Sequence, residues 1–143
     1  MAESPSGLPS KLNLEVVTPE GLLLREPVDE VIAPGALGYF GVLPGHTPFF
    51  STLGLGGIMY RIAQQRHYLT CFWGFCEVLP ERVNILAELA ERAEHIDVTR
   101  AESARARAEA AMKAIRDEAG YKDAHDSYVR AVTRLAVARR RTA

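Results

Sequence analysis

The sequence predicts an α+β chain, with an N-terminal antiparallel β domain followed by a C-terminal antiparallel two-helix hairpin. Three observations carry this. From Lys11 to about Leu86, apolar residues come in short runs of period two, broken by Pro and Gly turns. After Leu86 the period changes to steps of three and four, in stripes rich in alanine. Charge divides at the same place. Residues 1–96 hold 6 Lys/Arg against 11 Asp/Glu, a balance of −5, and residues 97–143 hold 11 against 7, a balance of +4. The two parts face different partners, or each other.

The opening MAESPSGLPS, rich in Ser and Pro, reads as a disordered tip over residues 1–10. Leu12, Leu14 and Val16 then alternate with Asn13 and Glu15, and Thr18-Pro19-Glu20-Gly21 has the residues of a type I turn. Leu22–Leu24 and Val28–Ala33 are the next strand candidates, the second closed by Pro34-Gly35. Gly54–Gly57 marks a break before Ile58–Ile62. His67–Val78 is the most β-prone run, and Gly74 inside it predicts a bulge or a close backbone approach. A turn at Pro80-Glu81-Arg82 leads into Val83–Leu86. Many short strands at this spacing argue for a sandwich or a barrel.

Gly38–Phe50, GYFGVLPGHTPFF, is dense in aromatics for a solvated loop. Leu43-Pro44-Gly45-His46 has the type II pattern, with Pro pre-setting φ at the second position and Gly supplying φ > 0 at the third. The surrounding aromatics belong in a β core or on a surface offered to a partner.

Glu88, Glu91 and Glu94 make an acidic connector, with a linker over residues 91–96 between a β domain over 11–90 and a helical domain over 97–143. Asp97 is the expected N-cap of the first helix, with Thr99-x-x-Glu102 as a weaker capping box. Its stripe is Ala101, Ala104, Ala108, Ala111, Met112, Ile115 and Ala119, with Gly120 as the expected C′ residue. Asp123 then caps a second helix with the stripe Ala124, Tyr128, Ala131, Val132, Leu135 and Ala138. Each alanine buries little area, and at ~25 cal/mol per Å² such a pair holds together weakly unless it docks elsewhere. A hairpin of this kind is suited to changing position.

Composition narrows function by exclusion. The net charge of −1 rules out a globally basic nucleic-acid binder. No apolar run approaches the ~18 residues needed to span a bilayer, and no secretory h-region follows Met1. The expectation is a cytosolic chain whose membrane association runs through other proteins. Cys71 and Cys76 are five apart on one strand, about 16 Å, with odd spacing that sets them on opposite faces. They read as small buried apolar residues, and no metal site is expected.

No phosphate loop, GxGxxG, GxSxG or HExxH occurs, and the four histidines are scattered. His46 lacks a nucleophile to serve and reads as a contact or turn-stabilising residue, so no catalytic residue is assigned. Arg100 and Arg107 share one face of the first helix, and Arg130 and Arg134 one face of the second. Two readings stay open for them: a solvated face with partners such as Glu102 and Asp126, or cations brought together around an anion. Arg139-Arg140-Arg141 is either a solvated helix end favourable to the macrodipole or a docking point for an acidic protein surface.

Several segments resemble the epsilon subunit of the F-type ATP synthase. They are Leu14–Gly21, Val28–Val31, Gly38–Pro48 with its Pro44-Gly45-His46 core, Gly74–Val78, Val83–Ala87 and Ile96–Ala101. The match runs in order from about Leu12 to Ala138. It implies a ten-stranded β-sandwich with a two-helix domain, serving as a non-catalytic rotor subunit on the cytoplasmic face of the bacterial inner membrane. The resemblance places Tyr39, Phe40, Gly41, Val42, Leu43, Pro44, Gly45 and His46 on a surface facing the gamma subunit and the c-ring. Tyr39 stands where some members carry an acidic residue, which implies an aromatic ring contact, and Trp73 where the family usually has a small residue. The hairpin in this family can extend into the alpha/beta catalytic head and block ATP hydrolysis, or fold down. Arg139, Arg140 and Arg141 would then meet the beta subunits. Ile96, Asp97, Arg100 and Ala101 match a motif that binds ATP in some members, and Glu91, Arg107, Arg130 and Arg134 match its other positions. The resemblance requires no cofactor and allows ATP as a regulatory ligand. The alternative is an ATP-binding sensor acting through the hairpin; a small β-domain enzyme is disfavoured for want of a catalytic constellation.

Overall fold

A computed structural model describes residues 7–141 of the chain. Part of the expected N-terminal tip, residues 1–6, lies outside these residues, as do Thr142 and Ala143. Seven strands come first: β1 (Leu12–Thr18), β2 (Gly21–Val28), β3 (Glu30–Gly35), β4 (Gly38–Val42), β5 (Phe49–Ile62), β6 (Gln65–Leu79) and β7 (Arg82–Leu89). A single 3-10 turn, Ala93–His95, leads into α1 (Val98–Ala114) and α2 (Glu118–Ala138).

The strands form one sheet in the order β2-β1-β7-β6-β5-β3-β4. It folds over on itself as a sandwich, because strands far apart in that order share one core. Leu12, Leu14 and Val16 of β1 and Val31 and Ala33 of β3 are all fully buried in the same cluster. Alternation along β1 is what the period-two pattern predicts.

Three expectations are corrected here. Among the described residues the sandwich has seven strands, not the ten that the resemblance implies, and the glycines read as a break at Gly54–Gly57 do not interrupt a strand. β5 runs 14 residues straight through Gly54–Gly57, and β6 runs 15 through Gly74. The sheet is mixed, since β1 pairs with β7 in parallel. Tight turns impose antiparallel pairing only on strands adjacent in sequence, and β1 and β7 are not. Third, Cys71 and Cys76 both face the core, each with no exposure. Between them Trp73 (φ 60°) and Gly74 (φ 150°) leave the extended region. Residues of the sandwich core cluster sit at odd positions before this kink (Leu69, Cys71) and at even ones after it (Cys76, Val78), while Thr70 and Phe72 are buried outside that cluster.

The hairpin boundaries also differ from the expected ones. Asp97 caps α1, its side chain accepting from the Arg100 N–H at 3.0 Å. α1 stops at Ala114, and Asp117 caps α2 by accepting from the Gly120 N–H at 2.9 Å. Gly120 and Asp123 therefore lie inside α2, and Ala119 belongs to α2 instead of the α1 stripe. A capping carboxylate three residues before a glycine N–H is a start signal that outweighs the helix-ending preference of that glycine.

Beyond α1, α2 packs on β5, β6 and the 3-10 turn. A second small cluster forms there from Ala93, Ile96, Val137 and Ala138, with Tyr68 at its edge. No helix among the described residues is long and apolar enough to cross a membrane.

Candidate functional site

The turn after β4 has the geometry its residues prescribe. Gly45 takes φ 87°, and the His46 N–H donates to the Leu43 carbonyl at 3.1 Å, closing a type II turn. The Gly45 N–H donates to the Pro80 carbonyl at 2.7 Å, tying this turn to the one between β6 and β7. Val42 is fully buried, Phe40 packs against the core, and Gly41 and Leu43 are exposed. Phe40 meets Phe49 edge to face at 5.2 Å. Tyr39 is 63% exposed, yet its hydroxyl reaches across β3 and accepts from the Gly57 N–H at 3.1 Å. His46 Nδ1 donates to the Thr47 carbonyl at 2.6 Å, and no catalytic partner stands beside it among the described residues.

The second region lies between the hairpin and the sandwich. The backbone of Glu91 is fixed by the backbone and the hydroxyl of buried Thr70. The Thr70 N–H donates to the Glu91 carbonyl at 2.8 Å, and the Glu91 N–H donates to Thr70 Oγ1 at 2.9 Å. Its carboxylate then accepts from Arg134 Nε of α2 at 2.7 Å, while the same guanidinium lies 5.0 Å from the centroid of the Phe72 ring. Arg107 of α1 donates to Ser103 Oγ at 3.3 Å, one helical turn back.

A cavity of about 660 Å³ opens here, lined by Glu91, Asp97, Arg100, Ala101, Arg107 and Arg134 with Glu20, Leu89, His95 and Ala104. Six of the eight residues expected at this site thus converge. Arg130 lies in an adjoining groove of about 590 Å³, which Arg107 and Arg134 also line. Ile96 does not line either space; it is buried in the cluster with Val137 and Ala138. The cavity lining holds three arginines, Arg100, Arg107 and Arg134, beside three carboxylates, Glu20, Glu91 and Asp97. The arrangement offers guanidinium groups to an added anion.

At the end of α2 the three arginines separate. Arg139 is the C-cap, Arg140 lies 5.5 Å from the Tyr68 ring centroid, and Arg141 Nη2 donates to the Ile96 carbonyl at 3.1 Å.

One surface escaped the sequence reading. Phe50 and Phe75 stack at 5.8 Å on the outside of the sheet, and exposed Trp73 and Leu86 extend the patch. The available signal was parity: Trp73 and Phe75 fall on odd positions of β6 just where the kink turns the odd positions outward.

Comparison with known proteins accounts for residues 11–139. Residues 11–93 match the family described as ATP synthase, Delta/Epsilon chain, beta-sandwich domain. Residues 94–139 match its companion, ATP synthase, Delta/Epsilon chain, long alpha-helix domain. The ATP synthase epsilon chain 2 of Syntrophotalea carbinolica is 46% identical over 131 residues, spanning 91% of this chain and 95% of that one.

The chain belongs to the ATP synthase epsilon-chain family.

Other epsilon chains agree. That of Syntrophobacter fumaroxidans is 48% identical over 128 residues, covering 90% of this chain and 96% of its own. Among solved structures, a chain of the Euglena gracilis mitochondrial ATP synthase superposes with a TM-score of 0.81 at 22% identity, covering 94% of this chain and 86% of that one. A chain of the Tetrahymena thermophila enzyme does so with a TM-score of 0.58 at 16% identity, covering 89% and 96%. At these identities the two structures support the fold alone.

Proposed function

We propose that this chain is the non-catalytic epsilon subunit in the central stalk of a bacterial F-type ATP synthase. Its sandwich, residues 11–90, docks on the gamma subunit and the c-ring through Tyr39–His46. A short linker, residues 91–96, carries a helical domain that restrains ATP hydrolysis by reaching the alpha/beta head. The subunit works at the cytoplasmic face of the inner membrane, held there by its partners. The observation that carries this is the ordered match of both the sandwich and the hairpin to epsilon chains at 44–48% identity. The central-stalk setting of the Tetrahymena chain agrees with it. Deleting residues 96–143 in the assembled synthase should leave assembly intact and raise ATP hydrolysis. An unchanged rate would remove the inhibitory role.

A second reading, ATP as a regulatory ligand of the folded-down hairpin, is favoured by the cavity where Arg100, Arg107 and Arg134 converge beside Glu91. A polyphosphate is the kind of anion that such a set of guanidinium groups suits. Calorimetry with ATP on the full chain should give heat that Arg130→Ala and Arg107→Ala weaken. No heat, or heat unchanged by both substitutions, removes the site.

A further inference from the structure

Thr70 is polar and fully buried, yet it lies outside the sandwich core cluster. Before the kink at Trp73 the odd positions of β6 enter that cluster, so Tyr68, Thr70 and Phe72 share the opposite face. Each meets something different there. Tyr68 edges the small cluster with Val137 and Ala138, Thr70 holds the backbone of Glu91, and Phe72 lies 5.0 Å under the guanidinium of Arg134.

The arginines of the cavity are held unequally. Arg107 bonds within its own helix, to Ser103 Oγ. Arg134 is held on two sides by groups that β6 controls: Glu91 Oε1 accepts from its Nε at 2.7 Å, and the Phe72 ring backs its plane. Fixing Nε and one face of a planar guanidinium also fixes where its terminal N–H groups point. The carboxylate that does this has the same sign as an anion entering the cavity, and would repel it if it turned inward. Thr70 prevents that turn by accepting from the Glu91 N–H at 2.9 Å while donating its own N–H to the Glu91 carbonyl at 2.8 Å. Neither Thr70 nor Phe72 lines the cavity.

We infer that Thr70 and Phe72 are positioning residues for a polyphosphate in this cavity. Thr70 keeps Glu91 on Arg134, Phe72 keeps the guanidinium flat, and together they aim its terminal N–H groups before any anion arrives. The ligand rests on the second reading proposed above, whereas the aim of Arg134 rests on the contacts alone. Holding a long side chain in place beforehand removes the entropy cost of ordering it on binding, so affinity is set in part from the sheet.

The test uses the full chain with Thr70→Val, which keeps the shape without the hydroxyl, Thr70→Ser, which keeps the hydroxyl, and Phe72→Leu, which removes the ring face. By calorimetry, Thr70→Val and Phe72→Leu should each weaken ATP binding about fivefold or more, and Thr70→Ser by less than about twofold. ATP binding to the parent that neither Thr70→Val nor Phe72→Leu weakens overturns the inference, and so does a Thr70→Ser loss equal to that of Thr70→Val. A second readout needs no ligand. The Arg134 Nε–H resonance, identified by its disappearance in Arg134→Lys, should exchange with water about threefold faster or more in Thr70→Val and Phe72→Leu, and at the parent rate in Thr70→Ser. Unchanged exchange in either of the first two variants removes that residue from the role. Should Thr70→Val not fold, Phe72→Leu carries both measurements. No ATP heat from the parent removes the ATP reading and leaves the exchange rates to decide whether β6 aims Arg134.

Discussion

Arg134 meets Glu91 at 2.7 Å and at the same time lies over Phe72, so one side chain ties α2 both to the segment leaving β7 and to β6. Both partners are a little over a quarter exposed, which sets the pair between a solvated and a buried ion pair. A double-mutant cycle of Arg134→Gln and Glu91→Gln, read by urea unfolding, should give a coupling of about 0.5–1 kcal/mol. Arg134→Lys keeps the charge but loses the planar stack on Phe72, and should fall between the wild type and Arg134→Gln. A coupling of zero would mean the pair does not form in solution.

Gly74 is the least replaceable glycine of the sheet. At φ 150° a Cβ there would stand 2.1 Å from the Leu86 carbonyl oxygen, a backbone atom that cannot move aside without β7. Gly74→Ala should cost roughly 3 kcal/mol or more, or prevent folding. Thermal unfolding of Gly74→Ala beside Gly54→Ala, where a Cβ meets nothing, separates the contact from a general loss of glycine.

Ala63, in the turn between β5 and β6, holds φ 55°, a conformation that costs a side-chain-bearing residue about 1 kcal/mol. Ala63→Gly should raise stability by roughly 0.5–1 kcal/mol, a rise of a few degrees in Tm. A lower Tm would place the cost elsewhere.

Asp29 links that turn to the start of the sheet. Its carboxylate accepts from Lys11 and from the Ala63 N–H, and these bonds, Lys11 first, hold its pKa below the ordinary 3.8. A lowered pKa in the folded state gives stability that is fully present above the unfolded value and is lost as pH falls through the folded one. Asp29→Asn should therefore be less stable than the parent at neutral pH, with the difference shrinking as pH falls through the lowered pKa of Asp29. A difference that grew on acidification would reverse the assignment.

Much of the sheet was legible because its signals are local. Alternation at Leu12, Leu14 and Val16 gave β1, and Pro44-Gly45 gave the turn, since each depends only on neighbouring residues. The parallel β1–β7 pair was not legible, because no turn joins those strands. The cysteine faces were misread because the reversal of parity at Trp73 and Gly74 depends on how close β7 comes, which spacing does not encode. At the candidate site, the four- and seven-residue steps put Arg100 with Arg107 and Arg130 with Arg134, but only the docking of α2 brings Arg134 to Glu91. Gly120 misled for the opposite reason. Asp117, three residues earlier, supplied a competing local signal, and the carboxylate cap prevailed.

The β1–β7 seam has a consequence for the newborn chain. The β1–β2 hairpin hydrogen-bonds to the other five strands through β7 alone among the described residues. Synthesis runs from the N-terminus, so this hairpin leaves the ribosome long before residues 82–89 exist to receive it. Until then, β1 has no hydrogen-bonding neighbour in the sheet besides β2. Folding of the β domain therefore waits on its last strand, and the helices, made afterwards, emerge onto a platform already complete.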